Sequence, residues 1–202
     1  MTQKTELECL QDIPNIDALA QNFTFIDDLT LRKNIAIVFQ YIIFLITLEK
    51  NHSLPGAVSY VIYKDMIIHT ASITESLLCY GLKKALEKGK TTIETMDIGE
   101  NIYKDFIKIR EISSTEIVGG VTKVKKYVEP QDMQFNDLIP AAIHIGLINP
   151  AFENELKIIR QSRNRVHLSS LSRVDNLYTK EEVDNMFATV KKLKTSIISY
   201  LN

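Results

Sequence analysis

The chain reads as an all-α protein, an antiparallel bundle of about five main helices with one small inserted β-hairpin. Three observations lead there: apolar residues recur at three- and four-residue steps over most of the length, proline, glycine and capping residues punctuate those stretches, and only one segment has strand texture. With 202 residues and 45% hydrophobic content, the chain is long and apolar enough to bury one core. No internal repeat or low-complexity linker divides it, so residues 1–202 are read as one domain, with 1–29 as an N-terminal extension and 113–130 as a hairpin insertion.

The elements follow in order. Residues 35–48 form the most apolar stretch, broken only by Gln40 and Thr47. It is shorter than the roughly 20 residues of a membrane span, so it predicts a buried helix that starts near Thr30 and is stopped by Pro55 and Gly56. A second helix is predicted over 57–88, with Val58, Ile62, Met66, Ile73, Leu77 and Tyr80 on its apolar side and Gly89 closing it. Asp97 to Glu100 resembles a capping box, and Ile98, Ile102, Phe106 and Ile109 then predict a third helix. Residues 116–128 are β-rich around Gly119-Gly120, which predicts the hairpin and its turn. Phe135, Leu138, Ile139, Ala142 and Ile145 predict a further helix that Pro140 either starts or kinks. Asn149-Pro150 supplies a cap and a first-turn proline for a helix running to about Leu168. A last helix begins at Thr179 with Glu182 as box partner, and buries Val183, Phe187, Val190, Leu193 and Ile197.

Charge is balanced, Lys+Arg 24 against Asp+Glu 25, so nucleic-acid contact has to come from a local patch. Residues 1–17 are polar and of mixed charge, without the pattern of a signal peptide. Cys9 and Cys79 lack metal spacing, consistent with a reduced cytoplasmic protein.

Chemistry concentrates in the run from Arg160 to Leu168. At about 100° per residue, Arg160, Arg163, Asn164 and His167 share an arc of about 100°, while Arg165 points elsewhere. The apolar stripe of Phe152, Leu156, Ile159 and Val166 overlaps the edge of that arc, which places the polar face where the helix meets a neighbour. Arginine offers a planar charged fork for phosphate oxygens, and histidine titrates near neutrality. Together they point to phosphodiester chemistry; the plain alternative is a solvated helix face.

The run resembles the signature of the HEPN family (higher eukaryotes and prokaryotes nucleotide-binding domain), an arginine, often followed by Asn or another polar residue, then four to six residues to a histidine. Arg160 meets the spacing, with six residues before His167, and Arg163-Asn164 supplies the dipeptide only three residues before it, so either arginine can be the motif residue. By the same resemblance, 71–78 is similar to the family's second core helix and 135–168 to its last two.

That resemblance implies metal-independent RNA cleavage. His167 would assist proton transfer as the ribose 2′-hydroxyl attacks the adjacent phosphate, Arg160 or Arg163 would stabilise the charge developing there, and Asn164 would orient a phosphate or the histidine. It implies no cofactor, a homodimer whose motif helices face each other, and a toxin or antiviral role restrained by an antitoxin or defence-system partner protein. It also places Glu75 near the arginines, either as a salt bridge orienting one of them or as a second catalytic group. A non-catalytic module binding a nucleotide, an RNA or a protein, and a purely structural dimer seam, are the contrasting readings.

Other residues have simpler readings. Lys123, Lys125 and Lys126 are either charge protection of an edge strand or a phosphate-tracking arm. His69 reads as a core histidine, His144 flanks an apolar face, and His52 follows a helix end. Glu94, Asp97 and Glu100 read as capping and a solvated face rather than a metal site. Gly119-Gly120 lacks the residues of a phosphate-binding loop.

Overall fold

The computed structural model describes residues 13–164 and 178–202, and only the backbone at 103–105, 117 and 121–123 within the strands. The described chain is mostly helical. Its elements are α1 (Ile16–Ala20), α2 (Leu29–Asn51), α3 (Gly56–Glu87), α4 (Ile93–Met96), β1 (Gly99–Ile112), β2 (Thr115–Tyr127), α5 (Phe135–His144), α6 (Glu153–Asn164) and α7 (Lys180–Leu201), with short 3₁₀ turns at Gln21–Phe23, Pro130–Asp132 and Pro150–Phe152.

Local chemistry accounts for the helix limits. Asp28 accepts from the backbone N–H of Thr30 at 2.9 Å and of Leu31 at 3.0 Å, and so starts α2. Gly89, at φ +64°, ends α3 where the sequence predicted, and the Lys90 N–H reaches back to the Ala85 carbonyl. Asn149 caps the turn into α6 through the Ala151 N–H, and Thr179 caps α7 through the Glu182 N–H. Pro140 lies inside α5 rather than at its start.

The centre is α3. It packs against α2, α5, α6 and α7, and Ile67, Ala71, Thr74, Leu77, Leu78 and Leu82 along it are fully buried. Two threonines tolerate this burial because their hydroxyls donate to carbonyls one turn back, Thr70 to Met66 at 2.6 Å and Thr74 to Thr70 at 2.8 Å. At Gly81 a Cβ would lie 3.1 Å from Leu147 and 3.3 Å from Ile197, so a small residue lets α7 and the α5–α6 connection approach closely.

Two expectations fail. The third helix predicted from Asp97 onward is instead strand β1, and the hairpin spans 99–127 rather than 113–130. Ile98, Ile102 and Phe106 are four apart, a spacing that is one turn of a helix and equally two full repeats of a strand, so it fits both. Asp97 does not open a helix: at φ +59° it closes α4, its N–H bonded to the Glu94 carbonyl. The turn is Ser113-Ser114, with Ile112 paired to Thr115 and Ser113 at φ +57°. Gly119 and Gly120 lie within β2, opposite Ile107 and Phe106. A register shift between Lys108 and Arg110 brings Ile109 over Gly119, where a Cβ would come within 2.8 Å of the Ile109 Cδ1.

The first apolar stretch forms the expected helix, but the run judged too short for a membrane span belongs to a longer apolar element. As α2 it has 23 residues and is long and apolar enough, by length and composition, to cross a bilayer. Within the fold, Ile35, Ala36, Ile42 and Leu45 are its buried residues, and it packs on α1 and α3.

Two outcomes test this architecture. Leu77→Ala, at a fully buried position, lowers the unfolding free energy by about 2–5 kcal/mol, read by urea denaturation, with an unchanged far-ultraviolet spectrum. The hairpin's main contacts are between its own strands. Replacing 100–126 by an Asn-Gly turn therefore leaves the helical part folded, and thermal denaturation of the trimmed chain remains a single transition; loss of cooperative unfolding would show that the hairpin belongs to the core.

Candidate functional site

Helix α6 presents its residues in three tiers. Leu156, Ile159 and Ser162 are buried, Arg160 and Arg163 half-buried, and Asn164 exposed. Of the predicted face, the two arginines are half-buried and Asn164 is open to solvent. Arg165 and His167 lie outside the described residues, as does the rest of the predicted helix to Leu168.

The two arginines are held differently. Arg163 Nη1 is 3.2 Å from Glu75 Oε2 on α3, an ion pair with side chains 41% and 28% exposed. The structure thus brings together two residues that are 88 positions apart in the chain, as the orienting-salt-bridge reading of Glu75 requires. Arg160 buries its Nε with no hydrogen-bond partner among the described residues. Such an N–H costs free energy until something accepts from it, and it sits one turn from a second guanidinium.

Polar contacts fix the other side of α6. The Ser162 hydroxyl, 1% exposed as a residue, donates to Glu182 Oε1 at 2.6 Å. The Thr189 hydroxyl and the Lys192 ammonium both donate to Glu155, at 3.1 and 2.9 Å. These bonds tie α6 to α7, so the rotation of α6 that sets its arginines is anchored from behind. Sequence reasoning passed over Ser162, although a serine flanked by Gln161 and Arg163 on a helix whose neighbouring turns are apolar is a signal of a buried contact.

Beside Glu75 runs a groove of about 630 Å³, floored by Leu31, Cys79, Met133 and Leu138. Its charged lining is Asp27, Asp28, Glu75 and Glu87 against Lys83 and Lys84, an excess of acid that does not suit a polyanion. At its end Lys84 bridges Asp27 and Glu87 at 2.5 Å each, and Tyr80 donates to the Phe25 carbonyl at 2.8 Å. The Lys84 hydrogen bond holds the Asp27 carboxyl below its usual range, the same bond raises Lys84, and burial pushes the Tyr80 phenol up. Burial likewise raises the Cys79 thiol, whose Sγ lies 3.4 Å from the Pro130 carbonyl, leaving it a poor nucleophile.

The hairpin lysines are not equivalent. Lys125 forms an ion pair with Asp97, donates to the Asp97 carbonyl at 3.0 Å, and lies over the Tyr127 ring, 5.4 Å from its centre. It staples the foot of the hairpin. Lys126 is exposed opposite Glu100, and Lys123 occupies the register position opposite Tyr103. His144 Nδ1 is bonded to the Met96 carbonyl at 2.9 Å, and His52 caps α2 through its backbone N–H. His69 is half-buried rather than in the core, its ring edge-on to Tyr41 at 5.0 Å. Among the described residues no group of three or more His, Cys, Asp or Glu is placed to hold a metal ion.

No family model matches the chain, and searches of curated proteins and of solved structures return no match. The site is therefore judged on its geometry. Because the Glu75–Arg163 pair is partly solvated, a double-mutant cycle of Glu75→Gln and Arg163→Ala in urea denaturation gives a coupling of about 0.5–1 kcal/mol; a coupling of zero would mean that the two side chains do not pair in solution.

Proposed function

We propose that this protein is a metal-independent endoribonuclease of the HEPN kind, built on a helical bundle and acting in the cytoplasm as a toxin or antiviral effector. The observation that carries the reading is the pair of half-buried arginines one turn apart on α6, one paired with Glu75 and the other with a buried Nε that has no partner among the described residues. Two guanidiniums in that setting suit the non-bridging oxygens of a phosphodiester, which offer several acceptors and a full negative charge. Asn164, exposed on the same face, adds an amide that can donate to a phosphate.

In this reading His167 takes the proton of the ribose 2′-hydroxyl as that oxygen attacks phosphorus, the bond to the 5′ oxygen breaks, and the departing oxygen takes a proton from the protonated histidine of the second copy's motif. Arg160 or Arg163 holds the extra charge on the phosphate as it develops. RNA carries its own nucleophile, so no metal-activated water is needed, and DNA, which lacks the 2′-hydroxyl, is not cut. Lys126 and Lys123 on the hairpin supply further contacts to the backbone. The reading takes the active form to be a homodimer and assigns restraint to an antitoxin or defence-system partner.

A second reading has an observation of its own. Glu75 already neutralises Arg163, which favours a non-catalytic module in which α6 binds a nucleotide, an RNA or a protein and His167 only donates a hydrogen bond. One experiment separates the two. Wild type and His167→Ala are incubated with a mixed RNA pool, with and without a chelator, and the product ends are analysed. The ribonuclease gives products ending in 2′,3′-cyclic phosphate, equally with chelator, and His167→Ala loses about 10²–10⁴-fold. Arg160→Ala and Arg163→Ala identify the motif arginine as the one whose loss matches that of the histidine. Cleavage that survives His167→Ala or requires a divalent ion overturns the mechanism, and binding without cleavage favours the module.

A further inference from the structure

Between α2, α3 and α7 lies a cleft of about 500 Å³ to which no described residue of α6 contributes. Phe39, Ile43 and Ile46 of α2 form one wall and Phe187 and Val190 of α7 the other, with Ile73 of α3, only 5% exposed, as the floor. Steps of three and four residues put the members of each wall on one helix face. By one side these wall residues pack on the core, yet each stays half-buried because its other side lines the cleft. Phe23 closes one end, its ring edge-on to Phe39 with centres 6.0 Å apart and planes at 89°, so aromatic packing sets the shape there. Ile46 and Phe187 also line the adjoining cleft of about 270 Å³ and mark the opposite end. From Phe39 to Ile46 the wall runs about 10 Å along α2, an elongated form that suits an extended alkyl chain.

The charge at this cleft is of one sign. Lys191 and Lys194 are the charged residues that line it among those described, and no acid joins them. On the same helix Lys192 pairs with Glu155 at 2.9 Å, whereas neither Lys191 nor Lys194 pairs with a carboxylate among the described residues. Lys194 is half-buried and its ammonium is held in place. It donates to the Asn22 carbonyl at 2.6 Å and lies 5.7 and 5.9 Å from the centres of the Phe23 and Phe25 rings. An ammonium has three N–H donors, so one carbonyl and two rings position it while leaving donors for an anion. Beside so much apolar surface the effective dielectric is low, which strengthens an ion pair formed there.

We propose that this cleft binds a free long-chain carboxylic acid in its ionised form. The carboxylate sits on the Lys194 ammonium with Lys191 one turn away, and the alkyl chain lies over Ile73, between α2 and α7, toward Ile46 and Phe187. Apolar walls with a few placed polar groups, in a volume of this size, make a site for one small molecule. The occupant is therefore a dissolved single-chain acid rather than a lipid bilayer. This inference goes beyond the ribonuclease reading and does not rest on it: the lysines are on α7 and the arginines on α6, so acid binding and RNA cleavage are separate measurements.

The test is calorimetric titration of the full chain with decanoate, below its micelle concentration, and with decanol as the uncharged match. Wild type binds decanoate about tenfold more tightly than decanol, and each methylene removed from the acid weakens binding by up to about fourfold. Decanoate also raises the melting temperature, as a ligand of the folded state must. Lys194→Gln lowers decanoate affinity about tenfold and leaves decanol binding unchanged, a charge-specific loss that a merely structural lysine would not give. Val190→Trp, which narrows the cleft, abolishes binding of both with an unchanged circular dichroism spectrum. Should Val190→Trp unfold, Lys194→Gln, at the rim, still decides. No binding of decanoate, equal affinity for decanoate and decanol, or binding that survives Val190→Trp in a folded chain overturns the proposal. Flotation with phosphatidylglycerol vesicles without decanoate binding also overturns it and assigns the lysines to a membrane surface.

Discussion

The burial of α3 is the constraint on which the rest of the molecule depends. Its side chains are enclosed by α2, α5, α6 and α7, and each of those helices covers its own apolar stripe by packing on it. At its buried positions such a helix cannot vary without leaving a void or a clash, because protein interiors are close-packed. Gly81 shows the tolerance: even one methyl there would meet Leu147 and Ile197. Since α6 also rests on α3, the placement of its arginines is a consequence of the core, and Glu75 reaches Arg163 because both project from the same packed contact.

The charged groups near that contact are arranged economically. The side of α6 toward α7 is secured by Ser162–Glu182 and by Glu155 with Thr189 and Lys192, all satisfied pairs. The opposite side carries one arginine with a partner and one whose buried Nε has none among the described residues. A helix held firmly on one side and left electrostatically incomplete on the other suits ligand capture, since the rigid side sets the geometry and the incomplete side supplies the attraction.

The hairpin obeys different physics. A two-stranded ribbon has little core of its own, and its foot is tied down by Lys125 to Asp97 and by the Val128 N–H to the Ile98 carbonyl. Lys108 bridges Glu111 and Glu116 near the turn, at 2.5 and 2.9 Å. Phe106, Ile107 and Ile109 remain exposed on its two faces, so the ribbon is stabilised by cross-strand pairing and end contacts rather than by burial.

Where a residue's own chemistry decides the backbone, the sequence alone was enough. Asn149 with Pro150, Thr179, and Gly89 after α3 all act where they stand, because capping and left-handed turns are local. The helical character of most of the chain and the shared face of Arg160, Arg163 and Asn164 were legible for the same reason, since periodicity is a property of neighbours in sequence. The strand at 99–112 was not, because a spacing of four fits both periods and the choice was made by the pairing of two segments whose turn is Ser113-Ser114 rather than the two glycines. Only the tertiary structure decided that Glu75 meets Arg163, that Lys125 is spent on Asp97, and that Ile37 and Tyr41 of α2 stay exposed among the described residues. Each of these depends on which surfaces of distant segments the packing of α3 brings together, and no local pattern encodes that.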